Sequence, residues 1–396
     1  MSYYDDASLV LIPSGVKASK VYSQKPTNGS GDFTFARAST ATRTNASGAI
    51  VSVASNVPRL DYMTASGTLA TCPMLELEQQ RTNLVLRSEE FDNVYWSKPV
   101  GSVVANAAIS PDGTQDADQF TILITGESIF SADITVSSST VYTWSFYAKK
   151  GTATQHYLAI RDQTNGVFIS SDVQYTVSST NWTRVTHTFT TPATCTSVRC
   201  YPQRYSLGGI GTHFFWGAQL ELGSFVSTYI PTTAATVTRI KDDLSISGAS
   251  ALIGQTECTI FIDVDFRVVS SGGIRTFFGL EGSVTNQFSG FSVATTSNGN
   301  NIQYAGTVYN LTQGRHKIVC TYNSATNVSK LFVDGAQRGA STFAAFASTI
   351  DRISILGRIN PFNSFQVDRQ QFGGCNQFAL WKTALTYAQC IKLSTL

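Results

Sequence analysis

Charge is what this chain lacks most. Only 14% of its 396 residues are Asp, Glu, Lys or Arg, and the formal net charge is +2. An ordinary globular domain carries roughly a quarter. With so weak a field, and no dense Lys/Arg cluster, neither nucleic acid nor an anionic membrane is expected as a partner. A membrane-spanning helix needs a run of roughly 18 apolar residues, and none occurs. The opening residues, 1–6, hold no basic segment and no apolar core of a signal peptide, so export by that route is not expected. Histidine is scarce: His156, His187, His213 and His316 stand alone on separate strand candidates. No HExxH, GxSxG, phosphate loop or dinucleotide fingerprint is present. The seven cysteines are dispersed and form no CxxC, which argues against a zinc site. They read as buried free thiols of a chain folded in a bacterial cytosol, with one or two disulfides as the alternative.

Ser, Thr, Asn and Gly fill the gap, around 42% hydrophobic and 11% aromatic residues. A hydroxyl-rich surface with many turns suits β-sandwich and fibre proteins, and the length allows two or three domains. Strand candidates are short and evenly spaced. They include Val141–Ala148, Thr183–Thr190 and His213–Leu222, separated by turns such as Pro111–Gly113 and Asn165–Gly166. Within Thr183–Thr190, Val185, His187 and Phe189 share one side. A polar connector, 233–248, marks the expected boundary. Beyond it, Cys258–Phe266 sets Ile260, Ile262, Val264 and Phe266 on one face. One helix is expected, Tyr387–Leu393, capped by Thr386. No repeat of 20–50 residues supports a solenoid shaft.

The stretch from Phe33 to Trp96 has another texture. Arg37, Arg43, Arg59, Arg81 and Arg87 fall among Asp61, Glu76, Glu78, Glu89 and Glu90. That balance suits guanidinium–carboxylate contacts that tie loops down. Its consecutive motifs, RAST-ATR-x-N-x-x-G-x-I, NVPRLDY, CP-x-L-E-LE-Q-x-RTNL and SEEFDN-x-YW, resemble a segment recurrent in bacteriophage virion proteins of the tail-fibre and head-spike-fibre type. The resemblance implies a virion location after synthesis in the host bacterial cytoplasm. It also implies attachment to other virion proteins through the N-terminal region, and a homotrimer. Asn181–Val185 and Phe215–Gly223, followed by Tyr229–Thr232, resemble the closing strands of carbohydrate-binding-module-like jelly rolls. Arg315–Tyr322 before Leu331–Gly335, with the ending Gly373–Ile391, resembles the concanavalin A/laminin-G-like sandwich. Together these imply an all-β protein: an N-terminal attachment region, 1–96, then two antiparallel jelly-roll-like sandwiches, 97–236 and 249–396. Host cell-surface glycan is the implied ligand.

Sugar binding needs an aromatic face with hydrogen-bonding neighbours, because the C–H face of a pyranose stacks on a π surface. Trp144, Trp216 and Trp381 lie in apolar strand phrases and are expected in cores. Trp182, Tyr201 and Tyr205 are the candidates in the first sandwich; Tyr304, Tyr309, Asn310, Phe362 and Asn363 are those in the second. Polysaccharide hydrolysis would need paired carboxylates. Asp263 and Asp265 lie two apart on one strand, opposite Ile262 and Val264, and are expected to be solvated rather than buried as general acid catalysis requires. The protein is therefore expected not to be an enzyme. A polysaccharide-degrading tailspike and a purely architectural virion subunit are the alternatives. No cofactor is expected, while Asp112, Asp116 and Asp118 are candidate ligands for a structural Ca²⁺, which favours oxygen-rich loops.

Overall fold

The computed structural model describes residues 3–124, 126–204, 209–266, 276–282, 290–295, 301–304, 307–343, 345–346, 348–356 and 373–396. The all-β expectation holds: strands dominate, with a short 3-10 turn at Tyr3–Asp6 and one α-helix among the described residues. The chain forms two compact units. Unit 1 takes Met1–Gly48, Ser52–Gln80 and Ile240–Leu396; unit 2 takes Ala49–Val51 and Arg81–Arg239.

Unit 1 holds two sheets. The first runs, in spatial order, Ala336–Thr342, Val328–Val333, Gly314–Asn323, Glu257–Phe266, Gly373–Trp381, Leu69–Leu77 and Arg59–Met63. Leu9–Leu11 also pairs with Gly373–Trp381. The second sheet begins with Val16–Lys17, Lys20–Val21, Phe33–Ala36, Asp243–Ser247, Ile350–Ile355 and Thr276–Gly282, then continues through Gly290–Thr295, Asn301–Tyr304 and Thr307–Asn310. Their shared core is built by period-2 alternation: Ile260, Ile262, Val264 and Phe266 meet Phe33, Phe35, Ile353, Ile355 and Phe378. The helix, Tyr387–Ser394, carries a capping box between Thr386 and Gln389. It sets Cys390 and Leu393 against Phe261, Val319, Phe332 and Trp381 on the other side of the first sheet.

Residues 1–96 are thus not a separate structural unit. Leu9 and Leu11 register with Leu380 and Phe378, Leu75 and Leu77 with Cys375 and Gly373, and Phe35 with Leu244. Their apolar side chains complete the core of the C-terminal sandwich. Residues from Arg81 onward go elsewhere, because Val85, Phe91 and Trp96 are buried in unit 2.

Asp263 and Asp265 do share a side of their strand, but they are buried rather than solvated, at 2% and 4% exposure. Arg315 on the neighbouring strand lays its fork over Asp263, Nε at 2.8 Å and Nη2 at 2.7 Å. The Ala65 amide donates to Asp265 at 2.8 Å. A second charged knot is wholly buried. Arg59 Nη1 donates to Glu78 at 2.7 Å and its Nη2 to Asp242. Arg37 reaches the same Asp242 at 3.0 Å and the carbonyls of Ala54 and Val57.

In unit 2 a five-stranded sheet orders Ser102–Ala108, Ala117–Ile122, Gly211–Leu222, Val141–Lys150 and Thr183–Thr190. A four-stranded sheet orders Ile134–Thr135, Ser197–Tyr201, Tyr157–Asp162 and Val167–Gln174. Trp144, Phe146, Phe215 and Leu220 of the first belong to one core with Leu158, Ile160, Val198 and Cys200 of the second. Phe91 stacks on Trp96, with ring centroids 4.4 Å apart. Arg81–Asn83 pairs antiparallel with Val237–Arg239, so the long segment of this unit starts and ends on one two-stranded ribbon. All seven cysteines are free thiols, and every one except Cys72 is buried.

Candidate functional site

Strand alternation gives the five-stranded sheet of unit 2 two unlike faces. On Val141–Lys150, Trp144, Phe146 and Ala148 enter the core, so Tyr147 and Lys149 face the other way. On Gly211–Leu222 the alternation is reset at Gly217, whose φ is +63°. Phe215 and Ala218 both join the core, while Phe214 and Trp216 point outward opposite Lys149 and Tyr147. A Cβ at Gly217 would lie 3.0 Å from the Tyr147 ring, so this bulge needs glycine both for its backbone and for the ring's approach.

The outward face carries a cluster of rings. Trp216 and Tyr229 have centroids 4.7 Å apart, and Tyr147 lies 5.6 Å from Trp216. Trp182 is partly buried and packs against this cluster. Its Nε1 donates to the Ile109 carbonyl at 2.9 Å, which fixes the plane of the indole. The Lys149 ammonium sits 5.1 Å from the Trp182 ring centroid and 5.5 Å from that of Phe214. Arg184 lies over Tyr147 and donates to the Ser227 carbonyl at 2.7 Å. These cations brace the rings and present donors beside them.

A carboxyl group adjoins the cluster. Tyr229 donates its hydroxyl to Glu89 Oε1 at 2.9 Å, and Ser88 Oγ lies 2.7 Å from the same hydroxyl. Burial pushes the Glu89 carboxyl up to about 7, against the Tyr229 hydrogen bond, with Asp116, Asp112 and Glu90 adding repulsion. Among the described residues the Trp216 Nε1–H has no hydrogen-bond partner although the indole is buried.

Of the residues expected from sequence, this face contains Trp182. Tyr201 is elsewhere and cannot serve as a platform, because its ring is buried against Phe130 at 4.7 Å. In unit 1, Tyr309 is half-covered by the Arg338 guanidinium at 4.5 Å, and Asn310 is exposed. Tyr304 is described only as a strand residue paired with Thr307. Tyr205, Phe362 and Asn363 lie outside the described residues.

The structure places each of the three calcium candidates. Asp112 spends one oxygen on Ser110 and Thr114 within its own turn. Asp118 faces inward and accepts from the amides of Asp92 and Asn106 at 3.0 and 2.9 Å. Burial raises it to about 6 against those two bonds. Asp116 does not unite with them: among the described residues no three His, Cys, Asp or Glu side chains come together to hold a metal.

Lys149, Tyr147 and Phe214 were not singled out by sequence, whereas Glu89 belonged to the arginine–carboxylate balance and Tyr229 to the jelly-roll-like phrase. Strand phase could have placed Tyr147 and Lys149 opposite Trp144. It could not sort the consecutive rings Phe214, Phe215 and Trp216, because Gly217 breaks the phase.

No family model matches the chain, and no curated protein matches it. Solved structures similar to it are carbohydrate-binding modules and sialidases. The CBM40 of the Ruminococcus gnavus IT-sialidase, bound to α2,3-sialyllactose, is 15% identical, with a TM-score of 0.29 over 36% of this chain and 84% of that one. A leech intramolecular trans-sialidase is 17% identical at a TM-score of 0.29, and only 24% of its chain is covered. The tandem CBM22 domains of Paenibacillus barcinonensis Xyn10C are 12% identical at 0.29, over 77% of this chain and 98% of theirs. At such values the likeness transfers no residue and no ligand to this chain.

Proposed function

We propose that the protein is a non-enzymatic bacteriophage virion component, a fibre, spike or decoration subunit, that attaches to host surface glycan through unit 2. The observation that carries the glycan reading is Trp182. It is a partly open indole, locked in plane by Ile109 and flanked by the Lys149 ammonium and the Phe214 ring. A pyranose needs such a pre-set ring and adjacent donors, and a rigid platform loses little entropy on binding. The virion reading, with its homotrimer and virion partners, rests on the motif run between Phe33 and Trp96.

The test is binding of the purified chain to intact host cells with and without their capsular polysaccharide. The expected result is capsule-dependent binding that falls about tenfold in Trp182→Ala. Binding to isolated virion parts but not to cells would replace this reading with the architectural one. A second reading, polysaccharide cleavage, is favoured by Glu89 alone, since a carboxyl that keeps its proton near neutrality is what a general acid requires. Release of reducing ends in the same tubes, lost in Glu89→Gln, would install it.

A further inference from the structure

Unit 1 has a cleft of its own, about 450 Å³, lined by Arg43, Asn45, Ala46, Ser47, Leu60 and Tyr62. That volume is within the range of small-ligand sites, roughly 300–1,000 Å³. Arg43 is the cleft's charged member, and like Arg161 and Arg184 it has only neutral acceptors among the described residues. Arg37, Arg59, Arg87, Arg199, Arg204 and Arg315 each reach a carboxylate within 3.1 Å. Arg43 reaches none among the described residues. Its Nη1 instead donates to the Leu60 carbonyl at 2.7 Å, a neutral acceptor that leaves its charge uncompensated. The neighbouring carboxylate, Asp61, is buried and already accepts from the amides of Thr44 and Met63. The anchor at Leu60 holds the planar guanidinium in place, with its remaining N–H groups to offer.

The other walls complement that cation. Tyr62 is partly exposed and gives the cleft an aromatic ring, while Leu60 adds an apolar floor. On the far side Asn45 folds back to accept from the Ser47 amide and hydroxyl, at 3.0 and 2.7 Å. This Asx turn fixes a polar rim. A fixed fork, a ring and a polar rim match three features of one ligand: a carboxylate, a C–H face and hydroxyls.

The geometry points to a second ligand site in this cleft, for an acidic monosaccharide unit whose carboxylate pairs with Arg43 and whose ring lies against Tyr62. It is independent of the Trp182 platform, and the two sites fail separately. Acidic glycans thereby gain an attachment point that neutral ones lack.

The test is calorimetric titration of the full chain with trigalacturonate, its fully methyl-esterified form and inorganic phosphate. The acid trimer binds; the ester, which has lost the charge but kept the rings, binds about tenfold or more weakly. Phosphate, which has the charge without the ring, is similarly weaker. Arg43→Gln and Tyr62→Ala each weaken the acid trimer, Arg43→Lys has an intermediate effect because it keeps the charge without the fork, and Trp182→Ala has none. Should Arg43→Gln melt early for want of the Leu60 bond, Tyr62→Ala and the ester decide the matter. Equal binding of acid and ester, equal binding of phosphate, or no binding of the acid trimer at about 10 mM would overturn the assignment.

Discussion

The two units close their interiors by different means. Unit 1 uses ions. Arg37, Arg59, Glu78 and Asp242 form one buried knot, Arg315 covers Asp263, and His316 meets Asp334 at 2.6 Å. Unit 2 adds neutral pairs to its buried charges. His156 and His213 face each other through Nδ1 atoms 2.9 Å apart, and His213 Nε2 lies 3.0 Å from the Gly209 carbonyl. Asn83 donates to the carbonyls of Ala218 and Ile230, at 2.9 and 2.8 Å. Its ion pairs at Arg87, Arg199 and Arg204 are partly exposed, while Glu221, 3.5 Å from Arg81 Nε, is fully buried. A buried ion pair gains little over a well-packed apolar pair, yet losing one member strands the other. The knot in unit 1 therefore acts most as a register device. It joins residues 37, 59 and 78 to residue 242, from which the 81–239 segment separates them.

The largest expected effect lies in that knot. Arg59→Met should cost unit 1 about 3–5 kcal/mol, because Glu78 and Asp242 lose their shared counter-charge inside the protein. Urea unfolding measures it. In unit 2, Asn83→Ala should cost less, about 1–3 kcal/mol, from two stranded carbonyls. If the asparagine proved the costlier loss, the contrast between ionic and neutral closure would break.

Acid sharpens the contrast. Burial holds His156 and His213 down at about 4, with Lys150 opposing a charge on His156 and the two rings opposing each other. Both resist protonation in the folded chain, so the pair's contribution to stability is present above about 6.5 and lost as pH falls toward 4. His316 runs the other way. Burial lowers it, but the Asp334 carboxylate and the Thr312 carbonyl outweigh burial and raise it. Its contribution is present below about 6.5 and lost as pH rises through its folded value. NMR of the imidazole nitrogens at pH 5.5 should find His156 and His213 neutral and His316 charged. A charged His213 at that pH would contradict the neutral closure of unit 2.

A further effect is at Glu89. A carboxyl raised to about 7 destabilises the fold as pH climbs from about 4.5 through 7. Glu89→Gln copies the protonated form, so it should raise the melting temperature at pH 8 and leave it unchanged at pH 5. An equal shift at both pH values would place the effect in packing rather than in charge.

Much of this fold is legible from short-range pattern. The cores around Trp144 and Trp381, the face of Ile260 to Phe266 and the helix with its Thr386 cap all follow from alternation and capping. What pattern does not reveal is the cover over each face. Asp263 and Asp265 read as solvated because nothing local announces Arg315, some fifty residues on. Leu9 meets Leu380, and Phe35 meets Leu244, through pairings that no local window contains. The arginine–carboxylate balance between Phe33 and Trp96 was readable as a clamp. Its central acid, Asp242, comes from beyond the intervening unit. Trp182 was readable as a partly open ring, but its neighbour Phe214 depended on a strand phase that a glycine resets.

The ribbon of Arg81–Asn83 with Val237–Arg239 has a consequence for how such a chain can change. The 81–239 segment leaves and re-enters unit 1 through neighbouring strands, so its removal asks unit 1 to close only a narrow gap, whatever the length removed. Any other module whose termini emerge together meets the same joint. The long segment of unit 2 is thus joined to unit 1 at two chain crossings, 80–81 and 239–240.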